Sequence, residues 1–450
     1  MSRKVFISVL GTGFYGTCVY EKDDFRSSRD TRFIQAATLK MLTRDGSWRP
    51  YVDAAYILLT PKARRANWQV DGNVRYNDRA KKQETYLGLK NVLEGMQLPV
   101  RLNEVDIPDG MNEQEIWEVF DKTYQLLQDG DEVYFDITHA LRYLPMLILV
   151  LCNYAKFLRG IKVKAITYGN YEARDNSEPP VAPIMDLTSF SALQDWTFSG
   201  ASFTEMGKFR NLTDSLMSIE GTGNGKLEGR IRQFNNKLND WEGQLVTCRG
   251  NEIMQGKSLE DAKSYVRKIA AHKDMPKPLT NILEKIEGRI DEFPKDSIKR
   301  LCFAIRWCSE FHMVQQGYTL CQESIITKLC QTFEDKDIKV RGKNKKEREK
   351  SRRNYWSSIL GIENRSDETA WANELNDNRE ITRALLTTDW LLNLKRKCSN
   401  LVKNRNQVNH AGFIGVVNSR EIIEQFQDCV HGCLEFLEQE NLEWPQVIYT

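Results

Sequence analysis

The chain has 450 residues, a length that predicts two or three domains. Hydrophobic residues make up 41% and charged residues 28% of the sequence, which is typical of a globular protein and excludes a disordered one. Lys and Arg number 64 against 62 Asp and Glu, so the net charge does not by itself indicate a nucleic-acid partner. The longest apolar run, Tyr143–Cys152, contains a proline and is far shorter than the about 20 residues of a membrane span. Because the run Val5–Leu10 is also too short for a signal peptide, we expect no membrane partner and a cytoplasmic location.

Up to about residue 188 the sequence alternates between strand patterns and helix patterns. Apolar segments predict five buried strands, at Val5–Leu10, Ala54–Leu59, Val100–Val105, Glu132–Asp136 and Val163–Tyr168. Helical spacing of apolar residues predicts four helices between them, at Arg32–Leu42, Glu84–Met96, Asn112–Leu127 and Leu141–Leu158. The segment Thr17–Arg32 is polar and predicts irregular structure. This alternation indicates a parallel-rich, Rossmann-like sheet with helices on both faces.

The second part of the chain carries helix patterns alone. Pro179, Pro180 and Pro183 interrupt the alternation, and the strand signal disappears after them. Helices are predicted at Leu212–Ser218, Lys226–Leu245, Ser258–Ala271, Leu279–Phe293, Ile298–Gln316, Thr319–Thr332, Ile381–Asn404 and Glu421–Glu438. The fold class is therefore predicted as α/β plus all-α, with a sheet domain at 1–190 and a helical part after it.

A glycine-rich segment, Gly11–Gly16, follows the first predicted strand directly. Its pattern, GxGxxG, lets backbone N–H groups approach a phosphate. A nicotinamide or flavin site is disfavoured, because no helix opens after the glycines and because the second strand ends in Thr60 and Pro61 where an acidic residue would hold a ribose. A nucleotide or phosphate loop of another kind and a structural turn remain as alternatives.

The segment Asp136–Arg142 lies where the fourth strand ends and a helix begins. Ligands of open α/β sheets bind at the carboxyl ends of strands, where Thr138 and His139 would offer donors and Arg142 could face an anion. Tyr168 ends the fifth strand and could line the same crevice. The alternative is that Thr138 only caps the helix and His139 has no ligand.

In the second part of the chain, Arg405, Asn406 and His410 close a basic helix. At about 100° per residue, Asn406 and His410 share a face, whereas Arg405 lies about 140° from His410. RNA cleavage suits this set, because arginine neutralises a scissile phosphate and histidine moves protons near pH 7, without a metal. A surface arginine and a histidine without function remain the alternative.

Residues 336–353 carry ten basic side chains against three acidic ones. An exposed, mobile loop is one interpretation. The other is a row of cations that binds RNA phosphates, followed by Tyr355 and Trp356, which would stack on bases. The two interpretations are compatible.

The ten cysteines contain no CxxC pair. Cys429, His431 and Cys433 are close in the chain, but they lack a second pair of ligands. We therefore predict buried, reduced thiols and no metal site.

Together these motifs resemble the CARF–HEPN ribonucleases of type III CRISPR systems, in the branch named after a DxTHG motif. Asp136-Ile137-Thr138-His139 matches that motif, with Ala140 in place of its glycine, and the arginine, asparagine and histidine at 405, 406 and 410 match the HEPN pattern. The Gly11–Gly16 segment is similar to the loop after the first strand of the family. The motifs occur in the family's order, CARF first and HEPN second, and the resemblance implies a CARF domain at 1–190, a helical connector or insertion at 191–297 and a HEPN domain at 298–450.

The resemblance implies a single-stranded RNA endoribonuclease that is activated by a cyclic oligoadenylate, with cyclic tetra-adenylate favoured. The implied ligand-binding residues are Gly11, Thr12, Gly13, Phe14, Tyr15, Thr60, Thr138, His139, Arg142 and Tyr168. Arg405, Asn406 and His410 of two subunits would form a composite catalytic site in a homodimer or a higher oligomer, with no catalytic cofactor and a 2′,3′-cyclic phosphate as product. A non-enzymatic nucleotide sensor whose helical part binds nucleic acid or a protein remains the alternative, and degradation of the activator by the CARF domain stays open.

Overall fold

The computed structural model describes residues 2–446 apart from 28–30, 70, 78–81, 140–141, 210–211, 213–224, 274, 337, 363–367 and 414–417. The chain divides into two compact units, Met1–Gln194 and Asp195–Thr450. The first contains a large sheet, and the described part of the second is built from helices. The predicted fold class, a parallel-rich α/β domain followed by a helical one, is confirmed.

The sheet of the first unit has eight strands in the order β3-β2-β10-β9-β8-β1-β4-β7, and β5 and β6 form a separate hairpin. The strands are β1 (Lys4–Leu10), β2 (Val19–Lys22), β3 (Phe25–Arg26), β4 (Ala54–Leu59), β5 (Asp71–Asn77), β6 (Lys82–Leu87), β7 (Arg101–Asp106), β8 (Glu132–Asp136), β9 (Lys162–Gly169) and β10 (Val181–Asp186). The five neighbours β9, β8, β1, β4 and β7 pair in parallel. Their order follows the doubly wound pattern, in which the chain leaves β1 in one direction and later returns to its other side.

The helices of the chain cover the sheet and then form the second unit. They are α1 (Ile34–Thr43), α2 (Pro61–Ala63), α3 (Leu89–Gly95), α4 (Glu113–Gln125), α5 (Leu144–Arg159), α6 (Thr188–Met206), α7 (Gly225–Val246), α8 (Gly250–Gln255), α9 (Lys257–Ala270), α10 (Lys277–Asp291), α11 (Ser297–Glu310), α12 (Val314–Thr332), α13 (Lys345–Gly361), α14 (Asn373–Asn376), α15 (Arg379–Leu385), α16 (Asp389–Lys397), α17 (Leu401–Asn409) and α18 (Ser419–Glu438). A π-helical turn spans Arg64–Trp68, and 3-10 turns span Tyr171–Ala173 and Glu368–Ala370. Over the described ranges, no helix combines the length and the apolar character that crossing a bilayer requires.

Strand β1 explains why the sheet is covered on both faces. Its side chains alternate between two apolar clusters, because successive residues of a strand point to opposite faces. Val5, Ile7 and Val9 pack with residues of α4 and α5, whereas Phe6 and Leu10 pack with residues of α1 and α3. A strand buried on both sides therefore has the continuous apolar sequence on which its prediction rested.

Three predictions for the first unit are wrong in part. The predicted helix Glu84–Met96 is strand β6 followed by α3, because Gly88 adopts an extended conformation between them. The segment Thr17–Arg32, predicted as irregular, contains β2 and β3. Strand β10 begins directly after Pro179 and Pro180 and contains Pro183, which lies where the pairing of the strand changes from β2 to β9, a position that tolerates a missing N–H.

Two long predicted helices of the second unit are divided. Ile298–Gln316 ends as a helix at Glu310, because His312 takes a left-handed conformation before α12 begins. Ile381–Asn404 is split into α15, α16 and α17. The hydroxyls of Thr387 and Thr388 donate to the last carbonyls of α15 and so satisfy its end. The predicted helix Leu212–Ser218 lies, after its first residue, outside the described residues.

Candidate functional sites

The first candidate site lies at the carboxyl ends of the parallel strands, between β1 and β8. These two strands are neighbours, and the chain leaves them toward opposite sides of the sheet. Such a point opens a crevice in which doubly wound sheets bind ligands. The glycine loop follows β1 and the Thr138–His139 segment follows β8, so the fold brings the two predicted segments together.

Asn67 holds the glycine loop in place. Its side-chain amide lies on the π-helical turn and donates to the carbonyl oxygens of Gly11 at 2.8 Å and Gly13 at 2.9 Å. Asn67 is buried, and these two hydrogen bonds offset the free-energy cost of removing its amide from water. Sequence analysis missed this residue, since a single asparagine after the second strand belongs to no motif.

Tyr15 and His139 form the centre of the site. Their rings are stacked, with centroids 3.7 Å apart and an angle of 19° between the planes. A Cβ atom at Gly11 would collide with the Tyr15 hydroxyl and would lie 3.2 Å from the His139 carbonyl oxygen, so the tyrosine can take this place only because residue 11 has no side chain. Burial raises the pKa of Tyr15 to about 12, which keeps its hydroxyl protonated.

Asp136 and Thr138 fix the end of β8. The hydroxyls of Ser8 and Thr138 donate to the buried Asp136 carboxyl group at 2.6 and 2.5 Å. The Thr138 hydroxyl also accepts from the backbone N–H of Gly169 at 2.8 Å, on the next strand. Burial raises the pKa of Asp136 even though these donors oppose the rise. Thr138 therefore positions the loop through a buried network as well as standing in the predicted site.

The remaining predicted ligand residues surround this centre to different degrees. Thr60 accepts from the N–H of Ala63 and so caps α2, at the end of the strand beside β1. Thr12, Phe14 and Arg142 are exposed, and Tyr168 is half-buried near the end of β9. Sequence analysis also missed a neighbour of the loop, Arg32, whose guanidinium donates to the Tyr15 carbonyl oxygen at 3.0 Å and lies 4.7 Å from the Phe14 ring centroid.

His139 is expected to titrate far from neutrality. Burial lowers its pKa to about 4 from a usual 6.5, because it disfavours the charged imidazolium. The imidazole takes up a proton at a higher pH in the unfolded chain than in the folded one. The free energy of unfolding therefore keeps its full value above pH 6.5 and falls, by about 3 kcal/mol in total, as the pH drops toward 4 and below. NMR titration of the imidazole should give the low pKa, and the pH dependence of unfolding should weaken in His139→Gln; an imidazole that titrates near 6.5 would contradict the prediction.

The second candidate site is a groove in the second unit, with a volume of about 950 Å³. Asn406 and His410 both line it, as their common helical face predicted, and both are exposed. Arg396 and Lys403 line it as well and supply positive charge. The groove therefore combines a proton-transfer group with cations that attract phosphates.

Arg405 does not share this groove. It is half-buried, its Nη1 donates to the Asn406 Oδ1 at 3.2 Å, and it is not among the groove-lining residues. Its Nε is buried and has no hydrogen-bond partner within the described part of the chain. The structure thus brings Asn406 and His410 together in an open groove and leaves Arg405 beside it.

The second half of the basic segment is helical, since α13 begins at Lys345, which corrects the interpretation of the whole segment as a loop. Asn344 caps α13 by accepting from the N–H of Glu347 and donating to its carboxylate, a capping box that the sequence analysis overlooked. Tyr355 and Trp356 are fully buried, so they cannot stack on RNA bases as predicted. Helical spacing places them on the inner face of α13, whereas the lysines of the same helix are exposed.

The arginines and lysines of this segment differ in their contacts. Arg352 donates to the carbonyl oxygens of Phe333 and Glu334 beyond the end of α12, and Arg353 pairs with Glu323. Lys345, Lys346 and Lys350 are exposed on α13. The arginines therefore stabilise the fold, while the exposed lysines keep their charge in solvent.

The cysteines are all free, and Cys429 and Cys433 are buried. Among the residues that the structure describes, no group of three or more His, Cys, Asp or Glu side chains is arranged to hold a metal ion.

Comparison with known proteins yields one curated relative at the sequence level. A CRISPR-associated protein of Methanocaldococcus jannaschii is 23% identical over an alignment of 273 residues, and the match covers 58% of this chain. The chain is a relative of a CRISPR-associated protein. This finding confirms the resemblance to CRISPR-associated proteins that the motifs indicated. The match spans only 40% of the relative's own length.

Comparisons with protein-family models and with solved structures do not assign a function. No family model matches the chain. The solved structure of Enterococcus italicus Csm6 bound to cyclic hexa-2′-fluoro-hexa-dAMP aligns over 97% of this chain and 94% of that one, at 11% sequence identity and a TM-score of 0.45. A TM-score of that size supports no conclusion about function.

Proposed function

We propose that the protein is a metal-independent, single-stranded RNA endoribonuclease of type III CRISPR antiviral defence, activated by a cyclic oligoadenylate. The observation that carries the proposal is the groove in which Asn406 and His410 lie together beside Arg396 and Lys403. The CRISPR-associated relative and the two ordered motifs support the biological setting.

The chemistry follows from the groove. The cations would hold the RNA backbone, and His410 would take the proton of a 2′-hydroxyl as its oxygen attacks the neighbouring phosphorus. The P–O5′ bond then breaks, the 5′-oxygen leaves with a proton from water or from a second imidazole, and a 2′,3′-cyclic phosphate remains. An arginine near the phosphate would stabilise the charge that develops in the transition state.

A second copy of the chain would complete the site. Arg405 lies outside the groove lined by Asn406 and His410, so a composite site of two subunits would supply what one chain does not place there. Helix α5 carries an exposed apolar stripe in the first unit, at Met146, Val150, Tyr154, Phe157 and Leu158. An apolar stripe of this kind marks a protein interface, and a homodimer would cover it.

The crevice of the first unit would receive the activator. Its glycine loop and the half-buried, neutral His139 can bind a nucleotide through backbone amides, stacking and hydrogen bonds. The resemblance favours cyclic tetra-adenylate among the possible rings. Activation then requires that the ligand bind the cleavage-competent form of the dimer more tightly than the resting form.

One assay tests the proposal. Labelled single-stranded RNA is incubated with the full chain and cyclic tri-, tetra- or hexa-adenylate, with and without EDTA. We expect cleavage that depends on one ring size, survives EDTA and leaves cyclic phosphate ends. Cleavage abolished by EDTA would contradict metal independence, and ligand binding without cleavage would instead identify a non-enzymatic sensor.

A further inference from the structure

In this structure the side chain of Tyr15 occupies the centre of the first candidate site. Its ring lies on the imidazole of His139, and the ring of Phe33 meets its edge at a centroid distance of 6.3 Å. Its hydroxyl lies against Gly11, in space that only a missing Cβ leaves free. The tyrosine therefore fills the crevice from the loop that we expect to bind the ligand.

The ring and the hydroxyl of Tyr15 lie where the base and a phosphate oxygen of a bound nucleotide would be expected. A flat ring is stacked on an aromatic platform, and an oxygen attached to that ring lies against a glycine loop. A base and a phosphate oxygen would take these two places in a site of this composition. The Nε2 of His139 is buried without a hydrogen-bond partner among the described residues, so the platform has an unused polar atom that a ligand can satisfy.

Tyr15 is not enclosed on all sides. It is only half-buried, and its neighbours Gly13 and Phe14 in the loop are exposed. Asn67 anchors the loop through the carbonyl groups of Gly11 and Gly13, so a rotation of the tyrosine side chain does not break the anchor.

We propose that the face of His139 is a subsite for a planar purine base and that Tyr15 is an internal plug, which such a base displaces. The inference rests on the proposed function, since it assigns one base of the cyclic oligoadenylate to this subsite. Only molecules in which the tyrosine has moved aside can bind the base. The apparent association constant is therefore the intrinsic constant multiplied by the fraction of molecules in that open state. The plug also disfavours ligands without a flat ring, because they cannot replace the stacking of Tyr15 on the His139 imidazole.

The first test needs no nucleotide. Diethyl pyrocarbonate modifies accessible, neutral imidazoles, and mass spectrometry of peptides reports each of the five histidines separately. In the wild-type chain His139 should react more slowly than the exposed His431. Tyr15→Ala should raise the rate at His139 by about two- to tenfold, the equivalent of one aromatic stack, and leave His431 unchanged. An equal rate at His139 in both proteins would overturn the plug.

The second test measures binding of cyclic tetra-adenylate by calorimetry. Tyr15→Ala, and Tyr15→Leu as a variant that keeps some apolar bulk but has no ring to stack on His139, should bind about two- to tenfold more tightly than the wild type. Tyr15→Phe keeps the ring and should bind like the wild type. Tyr51→Ala is the matched control, because Tyr51 is 95% exposed in the same unit.

The outcomes separate the two proposals. Weaker or unchanged binding in the alanine and leucine variants would show that Tyr15 contacts the ligand or is a bystander, which overturns the plug and leaves the proposed function intact. If the wild type binds no cyclic oligoadenylate at all, the proposed activator is wrong. The modification rates would then still decide whether Tyr15 covers His139.

Discussion

Replacement of His410 by alanine is expected to slow RNA cleavage by about 10²–10⁴-fold, the usual contribution of a positioned acid or base. His410 is exposed in the groove beside Asn406, and it is the one histidine among the described residues that line this groove. Since the crevice of the first unit contains none of these residues, binding of cyclic tetra-adenylate should not change. The measurement is the initial rate of cleavage with saturating activator in EDTA.

His431→Ala is the matched control for this prediction, because His431 is an exposed histidine of the same unit on α18. It should cleave at the wild-type rate. A His410→Ala protein that cleaves as fast as the wild type would remove His410 from the catalytic site. Equal losses in both variants would indicate damage to the unit rather than to the chemistry.

Replacement of Trp356 by alanine is expected to lower the free energy of unfolding of the second unit by about 3–5 kcal/mol. The side chain is fully buried and stacks on Phe333 at a centroid distance of 5.5 Å. The substitution therefore leaves a large cavity behind α13. Urea denaturation followed by circular dichroism measures the loss.

The control for this cavity is Trp117→Ala, because Trp117 is 57% exposed on α4 and should cost little when removed. Comparison of Trp356→Ala with Trp117→Ala also distinguishes a core role of Tyr355 and Trp356 from a base-stacking role. A stable Trp356→Ala protein with weakened RNA binding would restore the base-stacking interpretation that the burial of this residue excludes.

The sequence predicted the parallel core well because buried strands leave a strong local signal. Strands β1, β4 and β8 are continuous apolar runs or nearly so, and each was predicted within one residue of its bounds. Strand β10 was missed because its prolines suggested a break, and its place depends partly on pairing with β2, which is far away in the chain. Helix α13 was missed because clustered like charges hid its capping box and its inner apolar face.

The candidate sites were predictable only in part. The motifs singled out the glycine loop, the segment after β8 and the helix end that carries His410, because each lies at the end of a recognisable strand or helix. Contacts between distant residues were not predictable. Neither the anchoring of Gly11 by Asn67 nor the stack of Tyr15 on His139 leaves a trace in spacing or composition. The position of Arg405 outside the groove did follow from helical geometry.

The hydrogen bond between Ser8 and Asp136 joins parts of the chain that are 128 residues apart. The crevice above it therefore has no local precursor and exists only once the whole central sheet has closed. A ligand held between these two strands would bind only the folded sheet and so stabilise it. The melting temperature of the first unit should therefore rise with ligand concentration. Melting temperature thus becomes a direct reporter of occupancy, even in variants that have lost every trace of cleavage.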